Sequence, residues 1–222
     1  MTARQMVWAV LCLLPASTTK NRLLRAAGAA VAKDAVFGPN LVLRCSQMTV
    51  ARGSVIRSGN VFKGVDQLSI GEHAYIGSWN FFTAGAEFAS TCGPAKLTVR
   101  ASASITGRHY FDCSGGVSIG AFSTIAGLRS TILSHGIDVT ENEQRALPVT
   151  IGDYCLVGSN CTILAGAALP ARSVLAAGAV LVRVSDRAVV PAGLYAGVPA
   201  RLKGSTEGGY FSRTERSVAP KS

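Results

Sequence analysis

Branched aliphatic residues recur at every sixth position over a long stretch of this chain: Ile151, Val157, Ile163, Leu169, Leu175 and Leu181 follow one another without a slip. The same spacing joins Ile70 to Ile76 and Ile119 to Ile125, and the residue after each is small: Gly71, Gly77, Gly120 and Ala126. Gly152 and Gly158 repeat the rule. A period of six is neither the 3.6 of a helix nor the two-residue alternation of an isolated strand. It fits a short strand followed by a turn, with the aliphatic side chain in the core and the small neighbour letting the backbone bend. Stacked coils of this kind pair each backbone with the coil below and leave only two open ends. The pattern predicts an all-β chain, a parallel β-solenoid over residues 31–203, with an N-terminal helical segment over 1–30 and a tail over 204–222. The register breaks at 82–96 and at 136–148, predicting two loops that leave the stack. Loops on a rigid scaffold are where function concentrates.

Composition agrees with that reading. With 222 residues and 48% hydrophobic content the chain can bury a sizeable core, and 24 Gly beside only 15% charged residues favour strands joined by tight turns. The net charge of +10 points to an anionic partner. Its cations gather near the ends, with Arg4, Lys20, Arg22, Arg25 and Lys33 in one group and Arg201, Lys203, Arg213, Arg216 and Lys221 in the other. Basic and aromatic residues are not interleaved, so no nucleic-acid partner is expected. The six cysteines show neither CxxC nor a metal-ligand spacing; they read as buried small hydrophobes in a reducing compartment, and no metal is expected. The apolar run Met6–Leu14 is too short to span a bilayer. Residues 1–28 are open to three readings: a helix packed on the solenoid or resting on a membrane, a cleaved signal, or an anchor.

Only three histidines exist, His73, His109 and His135. The last lies in Leu133-Ser-His-Gly-Ile-Asp138, which ends a coil, precedes the second loop and is followed by Pro148-Val-Thr-Ile-Gly-Asp153. Together with the hexads, this stretch resembles the hexapeptide-repeat acyltransferases, in particular the maltose- and galactoside-type and polysaccharide-biosynthesis O-acetyltransferases. The resemblance implies a left-handed triangular prism with three hexads per turn; parallel β connections are usually right-handed, so the hand rests on the resemblance alone. It also implies acetyl-CoA as co-substrate, a hydroxylated acceptor of the sugar class, and His135 as the general base, with no covalent intermediate. The family's loop carboxylate that orients this histidine has its match among Glu141, Glu143 and Gln144, and Glu143 is the expected residue. His109 and Asp112 fall where the family grips its acceptor.

The ending Gly193-Leu-Tyr-Ala-Gly-Val-Pro-Ala-Arg201-Leu-Lys203 is similar to the family's Gly-x-Pro-Ala-Arg close, which implies that Arg201, Lys203 and Arg183 meet the phosphates of CoA. The pantetheine arm would then lie in a cleft between subunits against Ser159, Ala177 and Gly178. The resemblance further implies a homotrimer, and a cytosolic donor implies a cytoplasmic protein, with residues 1–28 free to contact the inner membrane face. Two other functions are weighed. His73 and His109 stand 36 residues apart, two ideal coils, as in a zinc-dependent carbonic-anhydrase-like solenoid; a non-catalytic membrane-surface scaffold is the other.

Overall fold

The computed structural model describes residues 1–184 and 190–218; positions 185–189 and 219–222, among them Lys221 at the end of the tail, lie outside the described residues. The chain winds into a parallel β-helix of triangular cross-section, with its strands in three sheets, one for each face of the prism. The first face begins with Ala30–Val31 and runs through Gln47–Val50, Gln67–Ile70, Lys96–Val99, Val117–Ile119 and Val149–Ile151 to Ala168–Leu169. The second runs from Val36–Phe37 to Leu194–Ala196, where Arg201–Gly204 adds an antiparallel edge. The third runs from Leu41–Leu43 through Phe81–Thr83, Tyr110–Asp112 and Thr131–Ile132 to Val180–Leu181. Each coil therefore turns three corners: the first between faces one and two, the second between faces two and three, the third before the next coil begins.

Every hexad aliphatic points inward, from Ile70 and Ile76 to Leu175 and Leu181. The later coils keep the 18-residue turn that three hexads demand, since Ile151 pairs with Leu169 and Val157 with Leu175. The early coils do not. There Val42 pairs with Phe62 and Phe62 with Phe82, a turn of 20 residues, because the corners carry extra residues. On the third face this longer turn admits a spine of stacked rings, Phe62 on Phe82 at 4.7 Å and Phe82 on Phe111 at 4.8 Å. Such pairs contribute about 0.5–1.5 kcal/mol each beyond their buried area.

Corners turn backbone N–H groups away from the sheet ladder, and side chains satisfy them. At the second corner Asn60 N–H donates to Asn40 Oδ1 (2.7 Å), Asn80 N–H to Asn60 Oδ1 (2.9 Å) and His109 N–H to Asn80 Oδ1 (3.0 Å). Ser130 N–H then donates to His109 Nδ1 (3.1 Å) and Cys161 N–H to Ser130 Oγ (3.2 Å). A buried N–H without a partner costs about 1–3 kcal/mol, so this column explains why polar residues occupy interior positions.

Two helices close the first end. α1 (Ala3–Cys12) opens with a capping box between Thr2 and Gln5, and α2 (Thr18–Ala26) is capped by Ser17. Trp8, Cys12 and Leu24 face the core. The ammonium of Lys20 is buried between the helices and the first coil, donating to the carbonyls of Cys12, Leu14, Phe37 and Gly38, each at 2.9 Å. It thereby ties a helix end to the terminal coil, sharing the Cys12 and Gly38 carbonyls with Asn40, although burial lowers its pKa to about 8. Among the described residues, no helix is long and apolar enough to cross a membrane.

Five cysteines are buried and all six are free; Cys92 is the exception to the expected burial and lies exposed in the first inserted loop. The tail does more than trail. It runs back along the first corner, where Tyr210 donates to the Cys155 carbonyl (3.1 Å), Arg213 to that of Phe122 and Arg216 to that of His73 (3.1 Å).

Candidate active site

Both interruptions of the repeat emerge at the third corner. The first spans residues 84–95 and holds a 3-10 turn, Ala86–Phe88, and a short helix, α3 (Ala89–Cys92). The second is a β-hairpin rather than an irregular loop: His135–Asp138 pairs antiparallel with Glu143–Ala146. Between them the ordinary third corner of one coil carries Asp112 and Ser114.

His135 begins the hairpin with its side chain 38% exposed, and its Nδ1 lies 2.7 Å from Oδ2 of Asp112, which is 2% exposed. The contact is close but not aligned as a straight hydrogen bond. Unliganded catalytic pairs often show such alignment and tighten when substrate arrives. Stacking produces the pair directly: Phe111 is in register with Ile132, so the residues just beyond each, Asp112 and Leu133, meet at the same corner one coil apart.

The carboxylate is held by four further donors. Ser114 supplies its N–H (3.3 Å) and hydroxyl (2.6 Å) to Oδ1, and Ser134 its N–H (3.0 Å) and hydroxyl (2.8 Å) to Oδ2. Burial by itself would raise the Asp112 pKa; the hydrogen bonds from Ser114, the close His135 imidazole and the hydrogen bonds from Ser134 outweigh it and keep the carboxyl below its ordinary value, so the group is ionised at neutral pH. The first insertion is tied to this network, since Gly85 N–H donates to Ser114 Oγ (2.9 Å) and the Phe88 ring stands 5.1 Å from the imidazole. A buried, ionised carboxylate behind a half-exposed imidazole can fix the ring's tautomer and stabilise its protonated form.

The expected orienting residue is not there. Glu143 is exposed on the far strand of the hairpin, opposite Asp138, while Ala146 is the residue opposite His135. Asp112, expected to grip the acceptor, instead backs the imidazole. His109 is 1% exposed with both ring nitrogens engaged inside the second corner, Nδ1 by Ser130 N–H and Nε2 by the Thr106 hydroxyl (2.9 Å), so it presents no nitrogen to an acceptor. The signal that could have found Asp112 is the coil length itself, which places a residue next to whatever stands about 20 positions earlier.

Burial lowers the His109 pKa to about 4, against 6.5 for a free imidazole. The unfolded chain therefore binds a proton in a window where the folded chain does not, and stability is complete above pH 6.5 and falls as the pH drops toward 4. The full loss is about 3 kcal/mol. Urea unfolding at pH 7 and pH 4.5 should show it, and His109→Asn, which extends the asparagine column without a titrating group, should flatten the difference.

The three histidines occupy three different corners: His73 the first, His109 the second and His135 the third. The spacing of His73 and His109 therefore does not stack them one above the other, and among the described residues no three His, Cys, Asp or Glu side chains are grouped as metal ligands. The residues expected at the donor divide as well. Ser159, Ala177 and Gly178 lie at the second corner, where Gly178 N–H donates to the Ser159 carbonyl. Arg183 follows the last third-face strand and lines a cleft of about 430 Å³ with Gly136, Ile137 and Leu147 of the hairpin region. Arg201 and Lys203 are exposed on the antiparallel edge strand of the second face. Within one chain, only Arg183 of these six stands on the His135 edge.

The family model described as hexapeptide repeat of succinyl-transferase matches residues 148–183, the most regular coils. This is a hexapeptide-repeat β-helix protein. Its coils match a mutant of AntD, an N-acyltransferase from Bacillus cereus in complex with dTDP-4-amino-4,6-dideoxyglucose and coenzyme A, with a TM-score of 0.56 and 14% identity over 84% of this chain and 89% of that one. They also match the polysialic acid O-acetyltransferase OatWY, with a TM-score of 0.53 and 18% identity over 81% of this chain and 86% of that one. At such identities the hexapeptide-repeat chain shares their fold, a left-handed parallel β-helix. A comparison with curated protein sequences gives no significant match.

Proposed function

We propose that this hexapeptide-repeat protein is an acyltransferase that moves the acetyl group of acetyl-CoA to a sugar hydroxyl. The observation that carries the reading is the pairing of His135 with Asp112 at the corner where both insertions leave the stack. His135 Nε2, which has no partner among the described residues, takes the proton of the acceptor hydroxyl as that oxygen attacks the thioester carbonyl. The tetrahedral intermediate expels the CoA thiolate, which recovers the proton from the imidazolium. Asp112 stabilises the imidazolium in between and is itself never protonated. The choice of acetyl-CoA is supported by the coenzyme A in the AntD complex and by the acetyl transfer named for OatWY.

A homotrimer belongs to the same reading. Ser159, Ala177 and Gly178 are separated from His135 by the whole third face, and a neighbouring copy would bring its second corner to this chain's third. The donor is cytosolic, so the protein works in the cytoplasm. The exposed Met6, Val7 and Val10 of α1, Leu13 and Leu14 just after it, and Arg22 and Leu23 of α2 suit an anionic membrane surface; failure to sediment with anionic vesicles removes that part. The enzymatic reading is tested by free-thiol release from acetyl-CoA in the presence of a panel of sugars. Release that never exceeds the rate without acceptor would overturn it.

A further inference from the structure

The second corner carries cations with no counterpart. Successive coils place Gly59, Trp79, Arg108 and Arg129 there, and Arg129 N–H donates to the Arg108 carbonyl (3.0 Å), so the two arginines leave adjacent rungs about 4.8 Å apart. Three arginines elsewhere are matched by acids: Arg52 with Glu72 and Arg100 with Asp153 at the first corner, and Arg145 with Asp138 across the hairpin. Among the described residues no carboxylate occupies the second corner, and the one carboxylate on the third face, Asp112, is buried beneath His135. Two exposed like charges one rung apart repel each other unless an anion lies across them.

Aromatic surface adjoins the pair. Trp79 is 60% exposed, its indole lying flat across Gly59, where a Cβ would come within 2.8 Å of the ring. Phe81 and Tyr110 are paired in register on the outside of the third face, both exposed, and line with Trp79, Arg108 and Arg129 a cleft of about 370 Å³. Flat aromatic faces take the C–H faces of sugar rings, and guanidinium forks take carboxylates and phosphates. The strand from Arg108 to Asp112 connects this cleft to the catalytic corner over about 13 Å, at 3.3 Å per residue. Arg129 is on the coil of His135 and Arg108 on that of Asp112, whereas Ser159, Ala177, Gly178, Arg201 and Lys203 belong to later coils. The cleft is thus on the side of His135 away from the expected donor.

We infer that this cleft is an acceptor subsite for an acidic oligosaccharide, whose anionic group sits on Arg108 and Arg129 while the chain crosses Phe81 and Tyr110 to present a hydroxyl to His135. The inference rests on the acyltransferase reading but can fail separately from it, because binding is measured without turnover. Trp8 is buried and Trp79 is the other tryptophan, so a fluorescence change on titration reports the cleft. The full chain should respond to hexagalacturonate and to phosphorylated maltohexaose, with affinity falling as salt is raised, and at least tenfold more weakly to unmodified maltohexaose. Arg108→Gln/Arg129→Gln should weaken binding of the acidic probes tenfold or more, raise their KM as acceptors and leave kcat in place. Equal binding of neutral and acidic hexamers, or no loss in the double variant, overturns the subsite. A fluorescence response to CoA that the double variant abolishes would also overturn it, by assigning the arginines to the donor.

Discussion

Replacing His135 by alanine lowers acetyl transfer by roughly 10²–10⁴-fold while CoA binds as before. The loss follows from the reaction: an unassisted hydroxyl is a poor nucleophile at neutral pH, and no second imidazole can substitute, since His73 and His109 lie at the other two corners. The fold should survive, because the ring is 38% exposed and its main contacts are with Asp112 and Phe88. Thiol release gives the turnover, and titration calorimetry with CoA gives the affinity. Unchanged turnover would remove His135 from the chemistry; a parallel loss of CoA affinity would mean that the residue serves the donor instead.

Asp112→Asn should cost a comparable factor, about 10²–10⁴-fold in kcat, although this side chain touches neither substrate. Asparagine keeps the shape and loses the charge that stabilises the imidazolium. It also turns an NH2 group toward at least one of the Ser114 and Ser134 donors, which now converge on two acceptor oxygens. The substitution therefore lowers stability too, so turnover is compared at a temperature where thermal melting shows the variant folded. A positioning role leaves the acceptor KM nearly unmoved while kcat falls. Glu143→Ala is the informative companion: exposed on the hairpin strand opposite Asp138, it should leave turnover intact. Were Glu143→Ala to abolish transfer and Asp112→Asn to spare it, the assignment of the orienting carboxylate would be reversed.

The contrast between these two acids shows where sequence reasoning runs out. Glu143 is eight positions from His135 and lies in the loop where a partner is naturally sought; Asp112 is 23 positions away. A hairpin carries its far residues off into solvent at about 3.4 Å per step, whereas a coil returns the chain to within one strand spacing of itself. Distance along the chain is therefore the wrong measure in a solenoid. His109 misled for a related reason: a polar residue beside a turn looks available, yet the corner needs an acceptor for Ser130 N–H and an imidazole provides it.

What the sequence determined by itself was the architecture, because an aliphatic residue at every sixth position can be buried only if the chain turns with that period, and it also marked the two places where the stack is left and the one histidine beside the second. What the tertiary structure decided was the company that histidine keeps. The 20-residue early coils, the hairpin in place of a loop and the third corner shared by Asp112, Ser114 and Ser134 depend on which rungs come to lie above which, and that register is set by the packing of the whole stack rather than by any one segment.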